Sequence, residues 1–189
     1  MKASERSKYP PDRSGECLPD YYATVAQDMI GFCGSTDCKI WVDLGSGNGG
    51  VALALLEKLQ DSVIVLVEPN VEALAKTLQA ARDRGFHGRV VAVEGMAERI
   101  PMPDQSVDVV VSRGSFFFWK DRVQGLREVW RILRPGGKAM IGGGVGSRYP
   151  EWARREFIRC KRDSAAASGP EAARKFAEAR SRETFRRLA

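Results

Sequence analysis

Short apolar runs alternate with amphipathic stretches over residues 20–143, and this alternation predicts the elements of the chain. In the segment YYATVAQDMIGF, Tyr22, Val25, Ala26, Met29 and Ile30 recur at helical spacing, and Asp20 stands where a helix cap belongs. Residues 39–43 read as a strand and 51–59 as a helix. Residues 62–67 read as a second strand, an unbroken β-branched run suited to burial on both faces. A helix follows over 71–84, a third strand over 90–93 and a fourth over 107–112. A helix over 123–133 is stopped by Pro135-Gly136-Gly137, and 138–141 reads as a fifth strand. This order argues for a parallel sheet with helices on both faces. Residues 1–19 read as a flexible arm punctuated by Pro10, Pro11, Gly15 and Pro19, and 20–146 as the ligand-binding domain. Residues 147–189 hold two helical patterns broken at Ser168-Gly169-Pro170.

Composition narrows the class. The chain has 189 residues, 43% of them hydrophobic, enough for one domain with a sizeable core. No apolar run approaches the roughly 20 residues of a membrane span. The polar start MKASERSKYPPDRSGE lacks the apolar centre of a secretory signal, so a cytoplasmic location without membrane contact is expected. Residues 1–146 are charge-balanced, and the net +6 resides in 147–189. Arg and Glu are interspersed there, which reads as a solvated helical face rather than a nucleic-acid contact. Cys17, Cys33, Cys38 and Cys160 form no CxxC pair, and the only histidine, His87, is far from them. Free reduced thiols and no metal are expected.

The chemistry gathers at one loop. Asp43, Gly45, Gly47 and Gly49 form D-x-G-x-G-x-G between the first strand and a helix. Glycines permit a tight turn and close approach of a ligand, and a helix start presents free N–H groups. Gly45, Gly47 and Gly50 also satisfy G-x-G-x-x-G, which suits a dinucleotide equally well. Asp43 shifts the balance, because a carboxylate is unfavourable beside a pyrophosphate and suits a ligand carrying an ammonium group. Glu68 ends the second strand, where a carboxylate can accept both hydroxyls of a ribose.

Four stretches follow in chain order: VDLGSGNGG, VLVEPN, GMAERIPMPDQSVDVVVS and LREVWRILRPGGKAMI. Together they resemble the successive motifs of class I S-adenosylmethionine (SAM)-dependent methyltransferases. Within that class the chain is similar to the small-molecule methyltransferases related to the ubiquinone and menaquinone biosynthesis enzymes. The likeness spans residues 20–143, about two thirds of the chain. It implies a Rossmann-like, doubly wound α/β fold of five parallel strands in the order 3-2-1-4-5. It also implies SAM as cofactor, S-adenosyl-L-homocysteine as product, and direct displacement onto a small-molecule acceptor. By the same likeness Asp43, Gly45, Ser46 and Gly47 line the methionine end, and Glu68 holds the ribose. Pro69 and Asn70 flank the adenine, Gly95, Met96 and Ala97 lie along its edge, and Ser112 and Arg113 stand beside the sulfonium. Met96 departs from the family, which usually carries Asp there to accept from the adenine amino group. The family's antiparallel hairpin after the fifth strand is expected to be missing, because the residues after Gly144 read as helices and the chain stops at Ala189. An edge left open in this way, or the C-terminal helices, would suit a homodimer.

Ser115, Phe117 and Trp119 follow the fourth strand, where substrate loops sit in open α/β sheets, and with Tyr22 they are candidates for the acceptor pocket. Core packing accounts for the aromatic run Phe116–Trp119 equally well. Asp108, at a strand start, reads as structural, and Glu94 and Glu98 as solvated or loop-stabilising. His87 lies in a turn before the third strand, on the wrong edge for catalysis, so no catalytic base is named. The Asn-Pro-Pro-Tyr motif of nucleic-acid amine methylases is absent after the fourth strand. The alternatives are a SAM-binding module without activity or truncated, and an NAD(P)-dependent oxidoreductase.

Overall fold

The computed structural model describes residue 18 and residues 20–34 and 38–178. The arm expected over 1–19 lies outside the described residues except for Leu18, as do Cys17 and the chain end beyond 178. The apolar runs form β1 (Ile40–Leu44), β2 (Val63–Glu68), β3 (Val90–Glu94), β4 (Val107–Arg113) and β5 (Leu133–Gly142). All pair in parallel, in the order β3-β2-β1-β4-β5. The helices are α1 (Tyr21–Cys33), α2 (Gly50–Leu56), α3 (Val71–Asp83), α4 (Arg122–Ile132), α5 (Glu151–Ala167) and α6 (Pro170–Glu178). Short 3-10 turns lie at His87–Arg89 and Phe116–Phe118.

The order explains where the helices lie. From β1 the chain moves outward through α2 and α3 to β3, then restarts at β4 and moves the other way through α4. Right-handed crossovers therefore place α2 and α3 on one face and α4 on the other. The central strands are buried on both sides, which their Val- and Ile-rich runs require. On the α4 face, Val42, Leu44, Val65, Val67, Val107 and Val110 pack with Val129 and Ile132. Between Val42 and Leu44, Asp43 points to the opposite face, by the two-residue period of a strand.

One boundary departs from expectation. β5 begins at Leu133, and Pro135-Gly136-Gly137 lies inside it instead of preceding it. While β4 advances from Val107 to Val109, β5 advances from Leu133 to Lys138. The extra residues bulge out, with Gly136 at φ 80°. Pro135 has no N–H to donate, which a bulge on the last strand of the sheet tolerates.

Contacts divide the chain into Tyr21–Ser147 and a second unit that includes α5 and α6. In the second unit the helices break at Ser168-Gly169, and charges pair at helical spacing: Arg155 with Glu151 at 3.0 Å, Lys175 with Glu171 at 2.7 Å. Among the described residues no strand follows β5, and no helix is long and apolar enough to cross a membrane.

Candidate functional site

Because every strand runs the same way, the ends of β1, β2, β3 and β4 meet along one edge of the sheet. Asp43 is 2% exposed there, and its Oδ2 has no hydrogen-bond partner. Burial, seconded by the nearby Glu68 charge, pushes its carboxyl up to about 7 against the opposing pull of the Ala52 N–H and Arg113. A buried acid with an unused oxygen is costly unless something cationic completes it.

The glycine loop turns directly beyond β1. Its first anchor is the Gly45 N–H, which donates to the Val67 carbonyl at 2.7 Å. A side chain at Gly45 would collide with Ser115, one at Gly49 with Thr77, and one at Gly50 with the Tyr22 ring. Gly47 differs: no atom lies within 4 Å of where its Cβ would stand. Three of the glycines are thus required by the protein's own packing, and only Gly47 faces open space. Glu68 secures this part of the loop. One of its carboxylate oxygens accepts from the Gly47 N–H at 2.9 Å, and the other from the Asn70 N–H at 3.1 Å. Each oxygen keeps a lone pair for a further donor. The Ser46 hydroxyl is buried and has no partner.

Beside Glu68, Pro69, Asn70, Val71 and Glu72 border a shallow, open surface depression. Asn70 caps α3 by accepting from the Ala73 N–H at 3.1 Å. Gly95 joins this side through its N–H to the Glu68 carbonyl at 3.4 Å, and a side chain there would meet Pro101. Met96 is exposed, in a turn closed by the Arg99 N–H donating to its carbonyl at 3.1 Å. Ala97, by contrast, is buried in the α4-side core.

On the other side of the loop, Ser115 is a hub. Its hydroxyl donates to the Leu44 carbonyl at 2.9 Å, accepts from the Trp119 indole at 3.1 Å and meets the Ser112 hydroxyl at 2.6 Å. Trp119 packs on the core and on Gly125, so it is a structural member of the loop. Phe116 stacks edge-on against Trp119 at 5.1 Å and Phe117 at 6.1 Å, while Phe118 is 85% exposed. Arg113 lies over the Tyr21 ring at 4.2 Å and the Tyr22 ring at 5.4 Å, and its Nε donates to the Gly144 carbonyl at 2.6 Å. α1 is fastened across this region: the Thr24 hydroxyl donates to the Val145 carbonyl at 2.6 Å, and Asp28 accepts from the Ser147 hydroxyl at 2.7 Å. Sequence pattern marked Tyr22 as a pocket candidate but missed the Arg113–Tyr21 pair, whose members lie far apart in the chain.

Other polar residues lie elsewhere. Asp108 stands at the opposite end of the sheet, accepting from the Lys39 and Ile40 N–H groups at 2.8 Å and pairing with Arg134 at 2.6 Å. His87 is exposed in its turn before β3. Glu98 accepts from the Lys120 N–H at 2.6 Å and the Asp121 N–H at 3.1 Å. Burial raises its carboxyl, but the Asp121, Glu98 and Lys120 N–H groups outweigh that and hold it below its usual range.

A family model for the methyltransferase domain matches residues 42–141, from within β1 to within β5. The chain belongs to the methyltransferase domain family. The structure is similar to that of an inferred S-adenosyl-L-methionine-dependent methyltransferase from Methanococcus maripaludis, with a TM-score of 0.75 and 32% identity, covering 89% of this chain and 73% of that one. In sequence the methyltransferase chain is 33% identical over 117 residues to the chloroplastic 2-methyl-6-phytyl-1,4-hydroquinone methyltransferase of Arabidopsis thaliana. That match covers 61% of this chain and 32% of the plant protein. An uncharacterised methyltransferase of Bacillus subtilis is 26% identical over 118 residues, 62% of this chain and 63% of that protein. The chain matches about a third of the length of the plant relative. The five-stranded order is the one the family resemblance implies.

Proposed function

We propose that this methyltransferase domain binds SAM along the shared edge of β1, β2, β3 and β4 and transfers its methyl group to a small-molecule acceptor. The buried, unpartnered Oδ2 of Asp43 at the mouth of a loop clasped by Glu68 supports this function. A dinucleotide would bring a pyrophosphate against that carboxylate, whereas the ammonium of an amino acid would complete it. The residues fit the cofactor. Asp43 and the Ser46 hydroxyl would hold the methionine end, and Gly47 leaves the backbone approachable. Glu68 would accept the ribose hydroxyls on its remaining lone pairs. Pro69, Asn70, Gly95, Met96 and the Ala97 backbone would frame the adenine. Ser112 and Arg113 border the reacting end.

When bound, SAM supplies a methyl carbon on a positively charged sulfur, open to direct displacement. The chain's own contribution is alignment and exclusion of water. Ser115 holds the loop after β4 against β1, and Arg113 stacked on Tyr21 and Tyr22 walls the side nearest α1. The plant relative's name specifies a hydroquinone, and Phe117 in the loop after β4 is the ring that would pack an aromatic acceptor of that kind. The test is release of S-adenosyl-L-homocysteine from SAM across a panel of hydroquinones and other phenols. Acceptor-dependent release, lost in Asp43→Ala, is expected. SAM binding with no release for any acceptor would favour a binding module without turnover, which the exposed Met96 in place of the family's Asp suits.

A further inference from the structure

At the end of the sheet opposite the proposed SAM site, the Cys33 and Cys38 sulfurs lie 3.0 Å apart. We propose that Cys33 and Cys38 form a reversible dithiol–disulfide site that tethers the end of α1 to the start of β1. The two thiols share a hydrogen bond, and about 1 Å of movement would bring their sulfurs to bonding distance. Both residues are held there by bonds independent of the sulfurs. The Cys33 carbonyl accepts from Lys138 of β5 at 2.6 Å. The Cys38 carbonyl accepts from the Trp41 indole at 3.1 Å and the Ser62 hydroxyl at 2.7 Å. Gly34, at φ 71°, ends α1 with its N–H on the Ile30 carbonyl at 3.1 Å. Among the described residues no third His, Cys, Asp or Glu joins the pair in a metal-binding group.

Burial, then the Cys33 thiol, pushes the Cys38 thiol up to about 11, with Asp108 adding to the rise and Lys138 opposing it. The Cys38 thiol therefore keeps its proton at neutral pH, and its exchange there is slow. Cys33 is buried and Cys38 half-buried, which sets the order of events. With a glutathione-type disulfide as oxidant, Cys38 loses its proton and attacks one sulfur, and one glutathione leaves and takes up a proton. Cys33 then loses its proton and attacks the Cys38 sulfur, and the second glutathione leaves as a thiol. Two protein thiols are oxidised and one glutathione disulfide is reduced to two thiols. The new bond fixes the end of the helix whose other end carries Tyr21 and Tyr22.

The test equilibrates the full chain in glutathione buffers of graded oxidation, alkylates the remaining thiols and maps the cysteine peptides by mass spectrometry. A Cys33–Cys38 bridge is expected, marked by a loss of about 2 Da and reversed by dithiothreitol. Cys33→Ser should leave Cys38 as a mixed disulfide with glutathione. Hydrogen exchange in the last turn of α1 should slow when the bridge forms. Equal alkylation of Cys33, Cys38 and Cys160 in the most oxidising buffer, or bridging of either residue to Cys17 or Cys160, would overturn the site. A bridge that forms and leaves exchange in α1 unchanged would overturn the tether.

Discussion

Glu68 accepts the Gly47 N–H at 2.9 Å, so the last residue of β2 holds the middle of the glycine loop beyond β1. The same carboxylate is the proposed ribose acceptor, and the two roles fall together on mutation. Glu68→Ala should weaken SAM binding roughly 10- to 100-fold, since a hydrogen bond to a charged group contributes about 1.5–3 kcal/mol. Glu68→Gln, which keeps one acceptor, should lose less. Titration calorimetry reads both, and an Ala variant that binds within about twofold of the parent would remove Glu68 from the site.

Asp43 predicts a conflict between stability and binding. Its carboxyl is raised from 3.8 to about 7, so between those values the folded chain holds a proton that the unfolded chain has released. Stability from this group is full below pH 3.8 and is lost as pH rises through about 7. Asp43→Asn should remove that slope and stabilise the ligand-free chain above pH 7 by at most about 4 kcal/mol. It should also abolish SAM binding. In the parent chain affinity should climb between pH 6 and 8 as the carboxylate forms, beyond any change due to the ligand's own amine. Urea denaturation and calorimetry at several pH values check both trends.

The loop glycines should separate by consequence. Gly45→Ala puts a methyl group into Ser115 on a backbone with φ 70°, and should cost about 2–5 kcal/mol of stability. Gly47→Ala meets no neighbour at φ 51°, so it should cost only about 1–2 kcal/mol while impairing SAM binding. Equal destabilisation by the two would contradict the assignment of open space to Gly47.

Ser115→Ala leaves the Leu44 carbonyl and Trp119 indole without their partner, and should cost about 1–3 kcal/mol. As Ser115 acts on the scaffold, KM for the acceptor should stay near the parent value while the melting temperature falls. A raised KM at unchanged stability would instead place its hydroxyl against the acceptor.

The sheet was legible because its signal is local. Unbroken runs such as those in β2 and β4 state both strand and burial, and Asp43 and Glu68 announce themselves at the strand ends. Features that depend on distant partners were not. Nothing in Pro135-Gly136-Gly137 distinguishes a stop before a strand from a bulge within it; the pairing of Leu133 with Val107 decides that. Four aromatics in a row do not reveal that Trp119 packs, partly buried, against the core while Phe118 faces solvent. The cysteine spacing likewise gave no hint that the turn at Gly34 precedes a meeting of Cys33 and Cys38.

Calorimetry with SAM, S-adenosyl-L-homocysteine and NAD on the full chain decides whether Asp43 and Glu68 build a SAM site. Micromolar binding of SAM and S-adenosyl-L-homocysteine, lost in Asp43→Ala, with no heat from NAD, is the predicted result. Binding of NAD without SAM, or undiminished SAM binding by Asp43→Ala, would contradict it.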